Sequence, residues 1–270
     1  MRRAAAKTNR FLLNAGDWFS GIFQGLGRVV FLLSELSMWS VIMLFRPQGA
    51  RKGEFIRNVL NYGLGALPII GVITFLVGFV TALQSAAQLR LVGANIFVAD
   101  LLAIGMTAEM GPLMAAIIVT GRSGSAIASE IATMKYTEEL DALKTMGLNP
   151  VKFVMVPKLW AMVLSMPILT LFSCAMGIAG GTLIAVTYLD LSFDAFWMEL
   201  VKALSVRDVL SGLTKSVTYG ILITVVGCFQ GLSFTGGAEG VGRATTQSVV
   251  TAIFAIVVAD AVLGLLFYFY

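Results

Sequence analysis

The chain contains no histidine, which removes the commonest general base near neutral pH and the commonest metal ligand. Its two cysteines, Cys174 and Cys228, lie inside apolar runs where any small apolar residue would serve, so packing and not a disulfide is expected of them. Charge is scarce as well: 13% of the 270 residues are Asp, Glu, Lys or Arg, against 58% apolar, and mean hydropathy is +0.88. No GxxxxGK(S/T) stretch is present, so the chain has no phosphate loop with which to hydrolyse ATP itself. The basic segment Met1 to Arg10 is not followed closely by an apolar core and a small-residue cleavage site. No cleaved signal peptide is therefore expected, and Arg2 with Arg3 does not by itself make a twin-arginine signal. Nothing in the composition points to a metal site or to nucleic acid.

What is present is apolar length. A helix that crosses a bilayer needs about 20 apolar residues, and five runs suffice: Val59 to Leu83, Ile96 to Thr120, Leu159 to Tyr188, Leu213 to Phe234 and Val249 to Tyr270. A sixth stretch, Val29 to Phe45, is apolar but follows Arg28 and precedes Arg46, Arg51, Lys52 and Arg57. Spanning would strand one basic flank outside, so the pattern predicts a helix lying in the membrane interface. Five spans then place the N-terminus inside and the C-terminus outside. Fifteen basic residues fall in the inner segments, and only Arg90, Lys202, Arg207 and Lys215 on the outer side. This positive-inside bias assigns the loop 121–158 to the cytoplasm. The expected fold is an all-α integral membrane protein of five transmembrane helices, with residues 1–58 a basic N-terminus and interfacial helix and 59–270 the membrane domain.

The loop 121–158 is the one long charged insert between apolar runs. Ala132, Tyr136, Leu140, Leu143 and Met146 recur at three- and four-residue spacing, with Lys135, Glu138, Glu139 and Lys144 opposite, which predicts a short amphipathic helix. Thr137 followed by Glu138 and Glu139 reads as a start, and Gly147 with Asn149 and Pro150 as a stop. Such a helix, held in water between the second and third spans, is a surface for a soluble partner. In the third run Gly177 and Gly181 form a GxxxG spacing that suits a close helix contact, within one subunit or across a dimer. After that run, Leu189 to Ser211 is an outer segment with Phe193, Phe196 and Trp197 at interface height.

Ionisable residues inside a membrane are costly and mark function. By residue count Glu109 and Asp260 fall near mid-depth with no cation level with them, so either a carboxyl is neutral or both face a wet cavity. Lys215 falls nearer the outer face, where snorkelling would account for it. Arg243, in the last inner loop, serves either as a topology charge or as a contact to a partner.

Asp141-Ala142-Leu143-Lys144-Thr145-Met146-Gly147 has the spacing of the coupling loop of ABC importer permeases, acid to glycine, with Pro157 ten residues on. Several further motifs occur in one order: Glu109-Met110-Gly111-Pro112, Gly121-Arg122-Ser123-Gly124-Ser125-Ala126, Glu130-Ile131, Gly147-Leu148-Asn149-Pro150 and Gly242-Arg243-Ala244-Thr245-Thr246. Together they resemble the MlaE family of ABC permeases, from about Gly78 to the C-terminus. That resemblance implies a homodimeric permease in the bacterial inner membrane with two cytoplasmic ABC ATPase subunits, which would hold the ATP and magnesium; no cofactor is expected in this chain. It also implies phospholipid as cargo, a periplasmic MCE-domain partner, in some members a STAS-domain protein, and a part in outer-membrane lipid asymmetry. By the same likeness Glu130, Glu138, Glu139, Asp141, Leu143, Met146 and Gly147 would couple to the ATPase. Gln84, Gln88, Leu89, Val92 and Glu109 would lie on the lipid pathway. This chain carries Ala108 where close family members carry an arginine before the glutamate, so no headgroup role passes to that position.

Two other classes fit parts of the pattern. A proton-coupled transporter of a lipophilic substrate would use Glu109 and Asp260 as carriers but leaves the loop helix unexplained. A scaffold that anchors the MCE partner would tolerate loss of Glu109.

Overall fold

The computed structural model describes residues 27–43, 45 and 52–269. The basic segment Met1 to Arg10, and the flanking Arg46 and Arg51, lie outside these. Among the described residues there is no strand, and five helical runs are long and apolar enough to cross a membrane: Gly53–Val92, Asn95–Tyr136, Val151–Thr187, Val206–Leu232 and Ala238–Phe269. A helix over 27–43, α1, precedes them. The first run comprises α2 (Lys52–Gly63) and α3 (Leu67–Leu89), and the second α4 (Val98–Ile104), α5 (Gly111–Val119) and α6 (Ser125–Tyr136). A short α7 (Glu139–Thr145) leads to the long α8 (Val156–Thr187), then α9 (Phe193–Ala203), α10 (Val206–Leu232) and α11 (Ala238–Phe269).

Local chemistry sets these boundaries. The first run stops where Gly93 turns left-handed at φ 70°, a conformation glycine adopts without steric cost. Ser192 caps α9 by accepting from Ala195 N. At the start of α10, Ser205 and Asp208 form a reciprocal capping box. Two of the three π-turns stand two residues before a proline: Gly105–Met110 before Pro112, and Val151–Met155 before Pro157. Proline cannot donate to the carbonyl four residues back and its ring crowds that carbonyl, so the helix widens there.

Helix α10 is central and α11 peripheral, since 56% of the apolar stretch of α10 is buried but only 11% of that of α11. One apolar core, around Ile70, Met162, Tyr219 and Ile223, joins α1, α2, α3, α6, α8 and α10 at the end of the bundle that carries α7. A second, around Ala86, Leu102, Ile184 and Phe196, joins α3, α4, α8 and α9 at the other end. Phe196 is fully buried there, while Phe193 and Trp197 stack on the exposed flank of α9. The Gly177 and Gly181 pair faces inward within one chain: a Cβ at Gly177 would strike Met106, and one at Gly181 would strike Leu102.

Helix α1 packs against the start of α8 and the stretch that leads into it. Glu35 accepts from Asn149 Nδ2 at 3.1 Å, Trp39 lies under Lys152 Nζ at 5.1 Å, and Met43 shares a small cavity with Leu148 and Lys152. Further along, Leu33, Leu36, Ser37, Ser40 and Val41 share a groove with Leu159, Trp160 and Val163 of α8 and with Ile221 and Val225 of α10.

Candidate functional site

Deep in the bundle, three helices bring four polar groups together. Lys215 on α10 has no exposed surface and its Nζ pairs with Glu109 Oε2 and, at 3.0 Å, with Asp260 Oδ1. Tyr219, one turn further along α10, donates its hydroxyl to the same Asp260 oxygen at 2.6 Å. Glu109 sits in the widened turn ahead of Pro112, which places it against α10, and its side chain remains 44% exposed. Two carboxylates therefore share one ammonium, and Asp260 gains a neutral donor as well.

This arrangement corrects the reading of the two acids as lacking a cation, and of Lys215 as a snorkelling residue. The apolar run begins at Leu213, but the helix begins at Val206. Lys215 is therefore nine residues, about 14 Å, inside α10 at 1.5 Å per residue. Tyr219 went unrecognised in the sequence; its four-residue spacing from Lys215 on one helix face was the available signal.

A second buried cation lies nearer α7. Lys158, also without exposed surface, donates to Glu130 Oε2 at 2.6 Å and ties the start of α8 to α6. Glu130 thus stands at the root of the loop, with its carboxylate engaged from inside. Removing it by Glu130→Ala should cost about 1–3 kcal/mol, less than a fully buried pair because the Glu130 side chain is 45% exposed. A thermal midpoint in detergent checks this, and the double variant with Lys158→Met should recover much of the loss; no recovery would deny the pair its role. Arg122, from the Gly121 to Ala126 motif, points away from the loop: Nη1 donates to Asn61 O at 2.9 Å and the guanidinium lies against Gly65.

The loop itself is two helices, where the periodicity predicted one. Thr137 Oγ1 bonds to Thr133 O and to Glu139 Oε1, and Glu138 is left-handed at φ 60°. Side-chain bonding of this kind competes with the helical ladder and ends α6. Of the predicted apolar face, Ala132 and Leu140 are buried, Leu143 half-buried, and Tyr136 and Met146 exposed. Gly147, at φ 73°, closes α7, with Leu148 N bonded to Leu143 O at 2.9 Å. Asn149 Oδ1 then caps the following turn by accepting from Val151 N at 2.8 Å. Lys135 Nζ donates to Leu232 O and Phe234 O, at the C-terminus of α10.

Two open clefts flank α7. One, of about 620 Å³, is lined by Glu54, Arg57, Glu130, Glu139, Leu143 and Met146 among others. The other, of about 570 Å³, includes Glu35, Leu140, Lys144, Gly147 and Leu148. Asp141 and Lys144 pair at 2.8 Å, both well exposed. Glu138, Glu139, Asp141, Leu143, Met146 and Gly147 are thus brought together on one short, solvent-facing projection. Arg243 stands apart at the start of α11, exposed and 3.5 Å from Glu239. Gln84, Gln88 and Val92 are exposed at the far end of the first run, while Leu89 packs into the second core. They sit on a helix that packs on α4, α5 and α8, whereas the lysine cluster joins the Glu109 turn to α10 and α11.

Residues 55–266 match the family described as permease MlaE. A probable ABC transporter permease protein of Rickettsia prowazekii is 37% identical over 213 residues, 79% of this chain and 82% of the relative. One from Synechocystis is 37% identical over 192 residues, 71% and 73% of the two chains. The intermembrane phospholipid transport system permease protein MlaE of Haemophilus influenzae is 31% identical over 255 residues, 94% of this chain and 95% of that one.

Proposed function

This chain belongs to the MlaE permease family, and from that premise we propose that it carries phospholipid between the bacterial inner membrane and a periplasmic MCE-domain partner. It is a multi-pass permease subunit of an ABC transporter. In the proposed assembly it works as a homodimer, with the N-terminus and α7 in the cytoplasm and the C-terminus in the periplasm. ATP and magnesium are held by a separate cytoplasmic ATPase, with a STAS-domain protein as an optional companion.

The observation that carries this reading is the exposed α7 between its two clefts, followed by the Asn149-capped turn into a membrane-crossing helix whose start Lys158 ties to α6. A short helix with an acid and an apolar ridge suits a groove on a soluble partner, and its firm root lets movement of that partner reach the span. The phospholipid assignment is supported by the name of the Haemophilus influenzae relative. Lys215 between Glu109 and Asp260 accounts for both intramembrane acids without proton carriage.

The test replaces Asp141 and Leu143 together by alanine. The Asp141–Lys144 pair is solvent-exposed on both sides and contributes about 0–1 kcal/mol; Leu143 is half-buried against the core, so a thermal midpoint in detergent accompanies the assay to show that the double variant is folded. ATP-driven phospholipid transfer between proteoliposomes is expected to fall to background while the protein still inserts and dimerises. Unchanged ATP-driven transfer would overturn the coupling assignment. Transfer that collapses with a protonophore and ignores ATP would move the weight to the secondary transporter.

A further inference from the structure

We propose that the groove beneath α1 is a phospholipid site of the leaflet at the α7 end, holding one acyl chain with the lipid phosphate on Lys152. This site is separate from the lysine cluster and from the Gln84 region, and it does not depend on the transport reading.

The groove has a volume of about 290 Å³ between α1 on one side and α8 and α10 on the other. Leu33, Leu36, Leu159, Val163, Ile221 and Val225 line it, and Ser37 and Ser40 supply its few polar atoms. Such a slot beside a membrane span does not hold water well, because an apolar lining offers water too few hydrogen-bond partners. Helix α1 forms its roof, and Phe31, Met38, Val41 and Ile42 are exposed apolar residues of the same helix. The surroundings of the groove are therefore hydrocarbon, and its occupant must be a chain that can enter sideways from the leaflet.

Charge selects the kind of chain. Lys152 stands at the polar rim, its Nζ 5.1 Å from the Trp39 ring, a pairing of cation and indole typical of the headgroup level. Leu159 is seven residues deeper in the same helical run, about 10 Å at 1.5 Å per residue. A bilayer's headgroup layer is about 5–8 Å thick on each side. A lipid with its phosphate on the Lys152 ammonium therefore brings the start of an acyl chain level with Leu159 and Trp160, the mouth of the slot. Ser40, which lines the slot, supplies a hydroxyl for a glycerol ester.

The test uses the full chain in nanodiscs of phosphatidylethanolamine and phosphatidylglycerol. A trace phosphatidylglycerol carries a photoreactive diazirine on one acyl chain, and labelled peptides are identified by mass spectrometry. Label is expected within 33–41, 159–163 and 221–225. Val163→Trp, which fills the slot, should remove that label while label on the exposed faces of α3 and α11 persists. Lys152→Gln, which stands outside the slot lining, should weaken it about tenfold, the scale of one lost charge-assisted hydrogen bond. Label spread evenly over all exposed helix faces and indifferent to both substitutions would overturn the proposal. So would label that appears only when residues 1–26 are deleted, since the chain's own N-terminal segment would then be the occupant. The readout is binding alone, so loss of the phospholipid-transport reading would leave this result intact, and the reverse.

Discussion

Replacing Lys215 by methionine is expected to abolish the proposed phospholipid transfer and to destabilise the fold by about 3–5 kcal/mol. The methionine fills the lysine's volume, so packing around α10 is retained. What is lost is the ammonium that Glu109 and Asp260 both face. Two carboxylates left in a membrane interior without a counter-ion are far costlier than the intact pair, because desolvation is no longer offset by attraction. The expected measurement is a lower thermal midpoint in detergent and loss of monodisperse protein. A triple variant, Lys215→Met with Glu109→Gln and Asp260→Asn, separates fold from function. Removal of all three charges should restore much of the stability, since neutral replacements of a buried charge cluster are often tolerated. Transfer should stay absent if the cluster acts on the lipid path or on the movement of α10 against α11. A single Lys215→Met variant with full stability and normal transfer would show that the three groups do not depend on one another.

Gly180→Val is expected to prevent assembly of the bundle, with little or no folded protein recovered from membranes. Helices α3 and α8 meet along most of their length, and at the contact a Cβ on Gly180 would strike the carbonyl oxygen of Phe75 and crowd the backbone nitrogen of Phe79. On the facing helix, a Cβ on Gly78 would run into the carbonyl group of Gly177. These obstacles are backbone atoms, which cannot swing aside as the end of a side chain can. Close approach through small residues takes the place of the hydrophobic effect, which does not drive helices together inside lipid. Overpacking that a side chain can absorb costs about 1–3 kcal/mol, and here the axis separation itself must change. Gly121→Ala is the matched control, since open space surrounds its Cβ position, and it should retain the parental midpoint. Equal midpoints for Gly180→Val and Gly121→Ala would refute the close contact.

Some of the site was legible as residues and not as an arrangement. The helix stop at Gly147 follows from local chemistry and the structure places it there, whereas Asn149, read as part of that stop, caps the turn that follows. The start signal at Thr137 was legible, but the apolar spacing runs through it without a gap and so joined Ala132 and Tyr136 to the same helix; side-chain bonds from Thr137 to Thr133 O and Glu139 end α6 there. Arg122, Lys135 and Lys158, read as basic residues of the loop, stand in the helical segments that flank it. Each is turned inward on a different target: Asn61 O, the end of α10, and Glu130.

The sequence by itself determined the five spans, because apolar length against bilayer thickness is a one-dimensional quantity. It also determined the amphipathic insert between the second and third spans, and the family, because ordered motifs are one-dimensional too. Only the tertiary structure decided that Lys215 lies between Glu109 and Asp260, with Tyr219 behind. Lys215 and Glu109 are 106 residues apart in the chain. Periodicity gives the face of a helix a residue occupies, but not the rotation and depth at which that helix meets its neighbours. For this cluster they are set where Gly212 of α10 lies against the Thr107 carbonyl and by the widened turn before Pro112, which bring distant charges to one level in the membrane.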